Sequence, residues 1–182
     1  MKKALLLTLV LVVSASMAFA QAGSVGLFAD PGGVNCNVTD IPGLLPIFAV
    51  HVYHAGATAC QFSAPVPACM IAAIWLSDTA VFPVTVGNSQ TGVAIGYGLC
   101  QGAPTHVLTI NVFAQGLSAP CCVYPVLPDP NVPSGQVEVV DCNNSLLQAT
   151  GGVAIINSTP NCNCDVPTED TTWGKVKSLY TN

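Results

Sequence analysis

The sequence predicts an all-β fold, a disulfide-stabilised β-sandwich, on three observations. Between residues 21 and 160, short apolar segments are cut by Gly, Pro, Asn and Asp, the punctuation of strands and turns. No stretch of that body carries the apolar spacing of an amphipathic helix. Nine cysteines, from Cys36 onward, supply the material for covalent staples.

Strands are expected at residues 24–29, 47–54, 59–63, 72–76, 81–86, 92–97, 106–114, 136–140, 146–149 and 152–156. The clearest is 106–114, where Leu108, Ile110 and Val112 alternate with Thr109 and Asn111, the period of a half-buried strand. In 47–54 both faces are apolar, with Phe48, Val50 and Val52 against Ile47, Ala49 and Tyr53, which places it centrally. Pro120, Pro125, Pro128, Pro130 and Pro133 lack the amides a central strand needs. Residues 121–134 are therefore expected to form a long, ordered surface connection.

Residues 1–20 read as a secretory signal peptide. Lys2 and Lys3 precede the apolar run 4–13, and Ala18-Phe19-Ala20 sets up cleavage before Gln21. The apolar run is shorter than the roughly 20 residues of a spanning helix. No integral membrane segment is expected in the mature chain, which is placed outside the cell or on its outer surface. Cleavage leaves residues 21–182, divided into a domain at 21–164 and a tail at 165–182. Two lysines then stand against nine carboxylates, a net charge of −7, and residues 21–173 contain no Lys or Arg. Such a body cannot neutralise phosphates, which excludes nucleic acid as a partner.

The cysteines are Cys36, Cys60, Cys69, Cys100, Cys121, Cys122, Cys142, Cys162 and Cys164. In an exported chain they predict four disulfides and one thiol left over. Zinc is the rival, but the usual Cys-x2-Cys knuckle is absent. Neighbours on an extended chain point opposite ways, so Cys121 and Cys122 are expected to take different partners. Cys100 is expected to pair with one of them, and Cys142 with Cys162 or Cys164. Cys60, inside a predicted strand, is the expected odd thiol.

No residue stands out as catalytic, cofactor-binding or metal-ligating. His51 and His54 are three apart on one predicted strand, hence on opposite faces, and His106 begins another. Asp129, or Glu138 with Asp141, could serve calcium, but no EF-hand pattern is present, and Asp30 and Asp129 sit in turn-forming sequences. There is no Gly-x-Ser-x-Gly elbow, and Ser118 has no His or Asp company in sequence. Tyr53, Trp75, Tyr97, Phe113 and Tyr124 could build a sugar-stacking platform, which makes an extracellular carbohydrate-binding module the alternative reading.

The tail differs in character. Thr168 or Thr171 can cap a short helix in which Trp173, Val176 and Tyr180 share a face, weakened by Gly174. About ten residues are too few for such a helix to be stable alone. With Trp173, Gly174, Lys175, Val176, Lys177, Leu179 and Tyr180, this segment resembles the Thr-Trp-Gly-x-[Ile/Val]-Lys-x-Leu-[Tyr/Phe] tails of secreted, mostly uncharacterised bacterial proteins. The resemblance implies a sorting or surface-retention signal and machinery that reads it.

The body is similar to cohesin-like β-sandwiches. The likeness is carried by residues 48–53 and 61–65, by 108–112, and by the closing pair 135–141 and 151–156. It implies a jelly-roll-like sandwich from which the nine cysteines depart. No dockerin-binding residues carry over. Together these readings predict a secreted or cell-surface, non-catalytic protein with a structural, adhesive or assembly role. Its expected partners are sorting machinery and a cell-surface protein or polysaccharide.

Overall fold

The computed structural model describes residues 22–164. The signal peptide and the tail helix expected from sequence lie outside the described residues. Within them the chain is all-β, and no helix is present. The strands, in order, are β1 (Ser24–Phe28), β2 (Asn37–Val38), β3 (Gly43–Val52), β4 (Ala57–Phe62), β5 (Ile74–Ala80) and β6 (Val84–Asn88). They continue with β7 (Gly92–Gln101), β8 (Thr105–Ala114), β9 (Cys122–Pro125), β10 (Val137–Asp141), β11 (Leu146–Gly151) and β12 (Val153–Ile156).

Nine strands form one sheet in the order β5-β8-β3-β1-β11-β10-β4-β7-β6, and β2-β12-β9 form a small second sheet. The large sheet folds over on itself at the parallel β1–β11 contact, which spans only Ser24↔Thr150 and Val25↔Gly151. One half is β5-β8-β3-β1 and the other β11-β10-β4-β7-β6. Their inner faces share a single core. Leu27, Ile47, Leu108 and Ile110 of the first half meet Phe62, Val93, Ile95 and Val139 of the second. This is a β-sandwich, with the period-two alternation of each strand setting which side chains enter it. The small sheet closes one end of the core with Val38, Tyr124, Ala154 and Ile156.

Two departures from the sequence reading have clear causes. Cys122–Pro125, expected to belong to a long, ordered surface connection, is strand β9. Pro125 is tolerated because β9 is an edge strand, bonded to β12 on one side only. Tyr124 holds the strand down, fully buried with its hydroxyl donating to the Ala64 carbonyl at 3.0 Å. The predicted strand 47–54 stops at Val52, because Tyr53 adopts a left-handed φ of 58°. His54 is thereby turned back onto the same side as His51.

On the outer face of β1 and β3, Phe28, Val50 and Val52 form a separate cluster covered by Cys36 and Cys164. The Asp30 carboxylate shapes the overlying loop by accepting from the amides of Gly32 (2.9 Å) and Asn35 (2.7 Å). At the far edge, the β6–β7 hairpin depends on Gly92. Its φ is +118°, and a Cβ there would run into the Asp129 carboxylate. Gly92→Ala is expected to lower stability by about 2–4 kcal/mol, combining backbone strain with loss of the Asp129 contacts. Gly102→Ala, where a Cβ meets nothing within 4 Å, should be close to neutral. Paired urea denaturation curves check both.

Candidate functional site: the outer face of β6, β7, β4 and β10

The cysteines resolve into four disulfides: Cys36–Cys164, Cys69–Cys122, Cys100–Cys142 and Cys121–Cys162. Cys121 and Cys122 take different partners. Cys100 pairs with neither of them, contrary to the sequence expectation. It reaches Cys142 instead, because β7 and β10 flank β4 and bring their ends together. Cys142 is thus unavailable to Cys162 or Cys164. Cys60, within β4, is free and buried, and burial pushes the pKa of its thiol up to about 12.

The histidines also depart from expectation. His51 and His54 do not lie on opposite faces, and their rings stack with centroids 3.9 Å apart. His51 is fully buried. Its Nε2 donates to the Ala22 carbonyl at 2.8 Å, which leaves Nδ1 to accept from the Tyr97 hydroxyl at 3.1 Å. Tyr97 in turn contacts the Cys60 thiol. Burial drives the His51 pKa down to about 4; the Ala22 carbonyl opposes this, and His54 adds repulsion. His106 lies elsewhere, edge-on to Phe48 and bonded to Thr109 Oγ1 at 3.1 Å. Among the described residues, no three His, Cys, Asp or Glu side chains converge in a metal-binding group.

The carboxylates divide sharply. Asp30 and Asp141 close turns through backbone amides, with Asp141 accepting from Asn143 and Ser145 at 2.8 Å each. Asp40 accepts from the amides of Gly116 (3.0 Å) and Ser118 (2.8 Å), so Ser118 has acidic company that its sequence neighbours do not show. Asp78 binds Trp75 Nε1 and Ser89. Asp129 accepts from Gln61 Nε2 at 2.7 Å and from the Asn131 amide at 2.8 Å. Burial would raise the Asp129 pKa, but these donors outweigh it and hold the carboxyl below its usual value. Glu138 is the exception. Its carboxylate makes no hydrogen bond or ion pair with any described residue, and it lies on the outer face between Gln61 and Gln148, away from Asp141.

The five aromatics do not share a platform. Tyr97 and Tyr124 are core residues at 4% and 0% exposure. Trp75 pairs with Val112 and packs inward, whereas Phe113 pairs with Ile74 on the opposite, outer side of the same strands. Tyr53 joins the cluster under Cys36.

What sequence reasoning missed is a surface written by register. Across the outer face, Val84, Gly96, Ala59, Val140 and Leu146 line up over five strands. The next row is Val86, Ala94, Gln61, Glu138 and Gln148. Small residues at the centre make a floor, and the valines of β6 make one wall. The result is an open groove of about 170 Å³ with almost wholly apolar walls. It is smaller than a typical small-ligand cleft. Gly96 keeps the floor low without being required by the backbone, since a Cβ there would meet the Val84 side chain at 3.4 Å and its carbonyl oxygen at 3.9 Å, both ordinary contacts. Leu146, Val84 and Val86 remain 63%, 59% and 71% exposed.

The described residues thus define an all-β sandwich module, tied by four disulfides and carrying an open, largely apolar groove on one outer face. In its structure the chain is similar to cohesin modules. The cohesin module of a Clostridium perfringens family 33 glycoside hydrolase is 7% identical, with a TM-score of 0.46, covering 74% of this chain and 98% of that one. A non-cellulosomal cohesin from Archaeoglobus fulgidus is 8% identical at a TM-score of 0.44, covering 87% and 98%. The sixth cohesin of Acetivibrio cellulolyticus scaffoldin B, solved with a Cel5 dockerin, is 14% identical at a TM-score of 0.44, covering 75% and 98%. No protein-family model and no curated protein matches the sequence.

Proposed function

We propose that this is an exported, non-catalytic assembly or adhesion module, which binds a protein partner on the outer face of β6-β7-β4-β10 and is held at the cell surface through its tail. The observation that carries the reading is the groove. A solvent-facing sheet surface normally alternates to polar residues. Here one row (Val84, Gly96, Ala59, Val140, Leu146) is wholly aliphatic or small, and the next begins with Val86 and Ala94 before turning polar at Gln61, Glu138 and Gln148. An exposed apolar patch rimmed by polar groups marks an interaction surface. The rigidity suits that role, because a scaffold tied by four disulfides loses little freedom when its face is covered.

The test is binding of the labelled, purified protein to cells of the producing strain. Ala94→Arg places a charged chain on the groove floor. It should abolish binding while shifting the melting temperature by no more than about 2 °C, as for a surface substitution. Protease treatment of the cells should abolish wild-type binding. Loss on periodate treatment alone would identify a polysaccharide and sink the protein-partner reading. Unchanged binding by Ala94→Arg would remove the groove from the function.

A further inference from the structure

We propose that the Cys121–Cys162 bridge is a thiol-exchange site, at which an external low-molecular-weight thiolate attaches to Cys121 and releases Cys162. The proposal stands apart from the groove and adds a reversible covalent modification to the module.

The surroundings of the eight bridged sulfurs set one of them apart. Residues 159–162 close a turn in which the Cys162 amide donates to the Thr159 carbonyl at 3.0 Å. The same turn brings the Thr159 amide to 3.2 Å and the Thr159 hydroxyl to 3.1 Å from Cys162 Sγ. The Asn161 amide donates to Thr159 Oγ1 at 3.4 Å, which leaves the hydroxyl's own proton for a sulfur. Cys121 Sγ lies farther from that oxygen, at 3.4 Å, so the shorter contact assigns the proton to Cys162. Cys162 Sγ thus faces an N–H and an O–H donor. Among the described residues, the sulfurs of the other three bridges accept no hydrogen bond. Cys69 and Cys164 instead have the Val123 and Val153 carbonyl oxygens at 4.0 and 3.9 Å.

That asymmetry decides which bond exchanges and in which direction. An attacking thiolate forms a new S–S bond to one sulfur, and the electron pair of the old bond departs with the other as a thiolate. The sulfur whose thiolate is better stabilised leaves faster. Hydrogen-bond donors favour the thiolate, whereas carbonyl oxygens oppose it. The Thr159 donors therefore make Cys162 the leaving group and Cys121 the sulfur attacked. The products are a mixed disulfide at Cys121, in which the incoming thiol is oxidised, and a reduced Cys162 that takes a proton from water. Cys162 is exposed and Cys121 half-buried, so the released sulfur reaches solvent while the attacked one admits a small thiol. Cys69–Cys122 and Cys36–Cys164 continue to hold the chain on either side, so the bridge can open without unfolding the domain.

The test incubates the disulfide-bonded chain 21–182 with reduced glutathione at about pH 8, where a thiol is partly ionised. Samples are quenched with N-ethylmaleimide and mapped by peptide mass. Glutathione on Cys121 and maleimide on Cys162 should appear before any other bridge opens. Cys60 should stay unmodified, since its buried thiol reports global unfolding. Thr159→Val, which removes the hydroxyl donor, should slow the exchange about fivefold, and Thr159→Ser should keep the wild-type rate. Opening of Cys100–Cys142 in the same samples should be equally fast in all three proteins, which separates a local effect from lost stability. Earlier opening of another bridge, glutathione on Cys162, modification of Cys60 in step with the exchange, or a wild-type rate in Thr159→Val would each overturn the proposal.

Discussion

Reduction of the four disulfides is expected to unfold the protein outright. The bridges close sequence separations of 128, 53, 42 and 41 residues. Each bridge of this kind contributes typically about 2–4 kcal/mol, largely by limiting the unfolded chain. Together they approach the whole stability of a domain, about 5–15 kcal/mol. The architecture sharpens the dependence. The strand pairing between the two halves of the large sheet is only two residue pairs of β1 and β11, and the small sheet is tied by Cys69–Cys122 and Cys121–Cys162. With excess dithiothreitol at neutral pH, near-ultraviolet circular dichroism should vanish. Ellman's reagent should then titrate nine thiols, against one in the denatured unreduced chain and none in the native state, where Cys60 is buried. Cys36→Ser combined with Cys164→Ser opens the longest loop and should cost about 4–5 kcal/mol. A fully reduced chain that keeps a cooperative urea transition would show that the core alone suffices.

Acid is the second large lever. His51 is buried neutral with its pKa near 4, whereas an unfolded histidine titrates near 6.5. Above pH 6.5 neither state binds the proton, and His51 contributes no slope. As pH falls below 6.5 the unfolded chain takes up a proton that the folded form refuses, so stability declines until about pH 4. The shift corresponds to about 3 kcal/mol lost across that window. His54 and His106, also lowered by burial, act in the same direction. Asp40 and Asp129 have lowered pKa values and lose their contribution only at more acidic pH, below the histidine window. Urea midpoints at pH 7.0 and 4.5 should show the decline, and His51→Asn should flatten it even where it lowers stability at pH 7.0. An unchanged slope in that variant would assign the acid sensitivity to other groups.

Much of the fold is legible in the sequence where the signal is local. The alternation of Leu108, Ile110 and Val112 marks β8, and the doubly apolar 47–52 marks β3 as a strand with neighbours on both sides. Local signals fail where a long-range contact decides the backbone. Val123 and Tyr124 sit between a cysteine and a proline, and they become strand only because β12 arrives to pair with them. Tyr53 reverses the chain at a position where nothing in the neighbouring residues requires a left-handed turn. The same logic hides the groove. Val84, Gly96, Ala59, Val140 and Leu146 are unremarkable in their own strands, and they become one surface only through four successive registers.

By itself the sequence determined the strand-and-turn chemistry, a body without lysine or arginine, and a set of cysteines suited to cross-linking. These are properties of composition and of neighbours along the chain. Tertiary structure alone decided which cysteines meet, that His54 stacks on His51, and that, among the described residues, Glu138 is the carboxylate left without a donor. The physical reason is that pairing and desolvation depend on groups distant in sequence. In a sheet, moreover, a shift of one residue in register would send every one of those side chains to the other face.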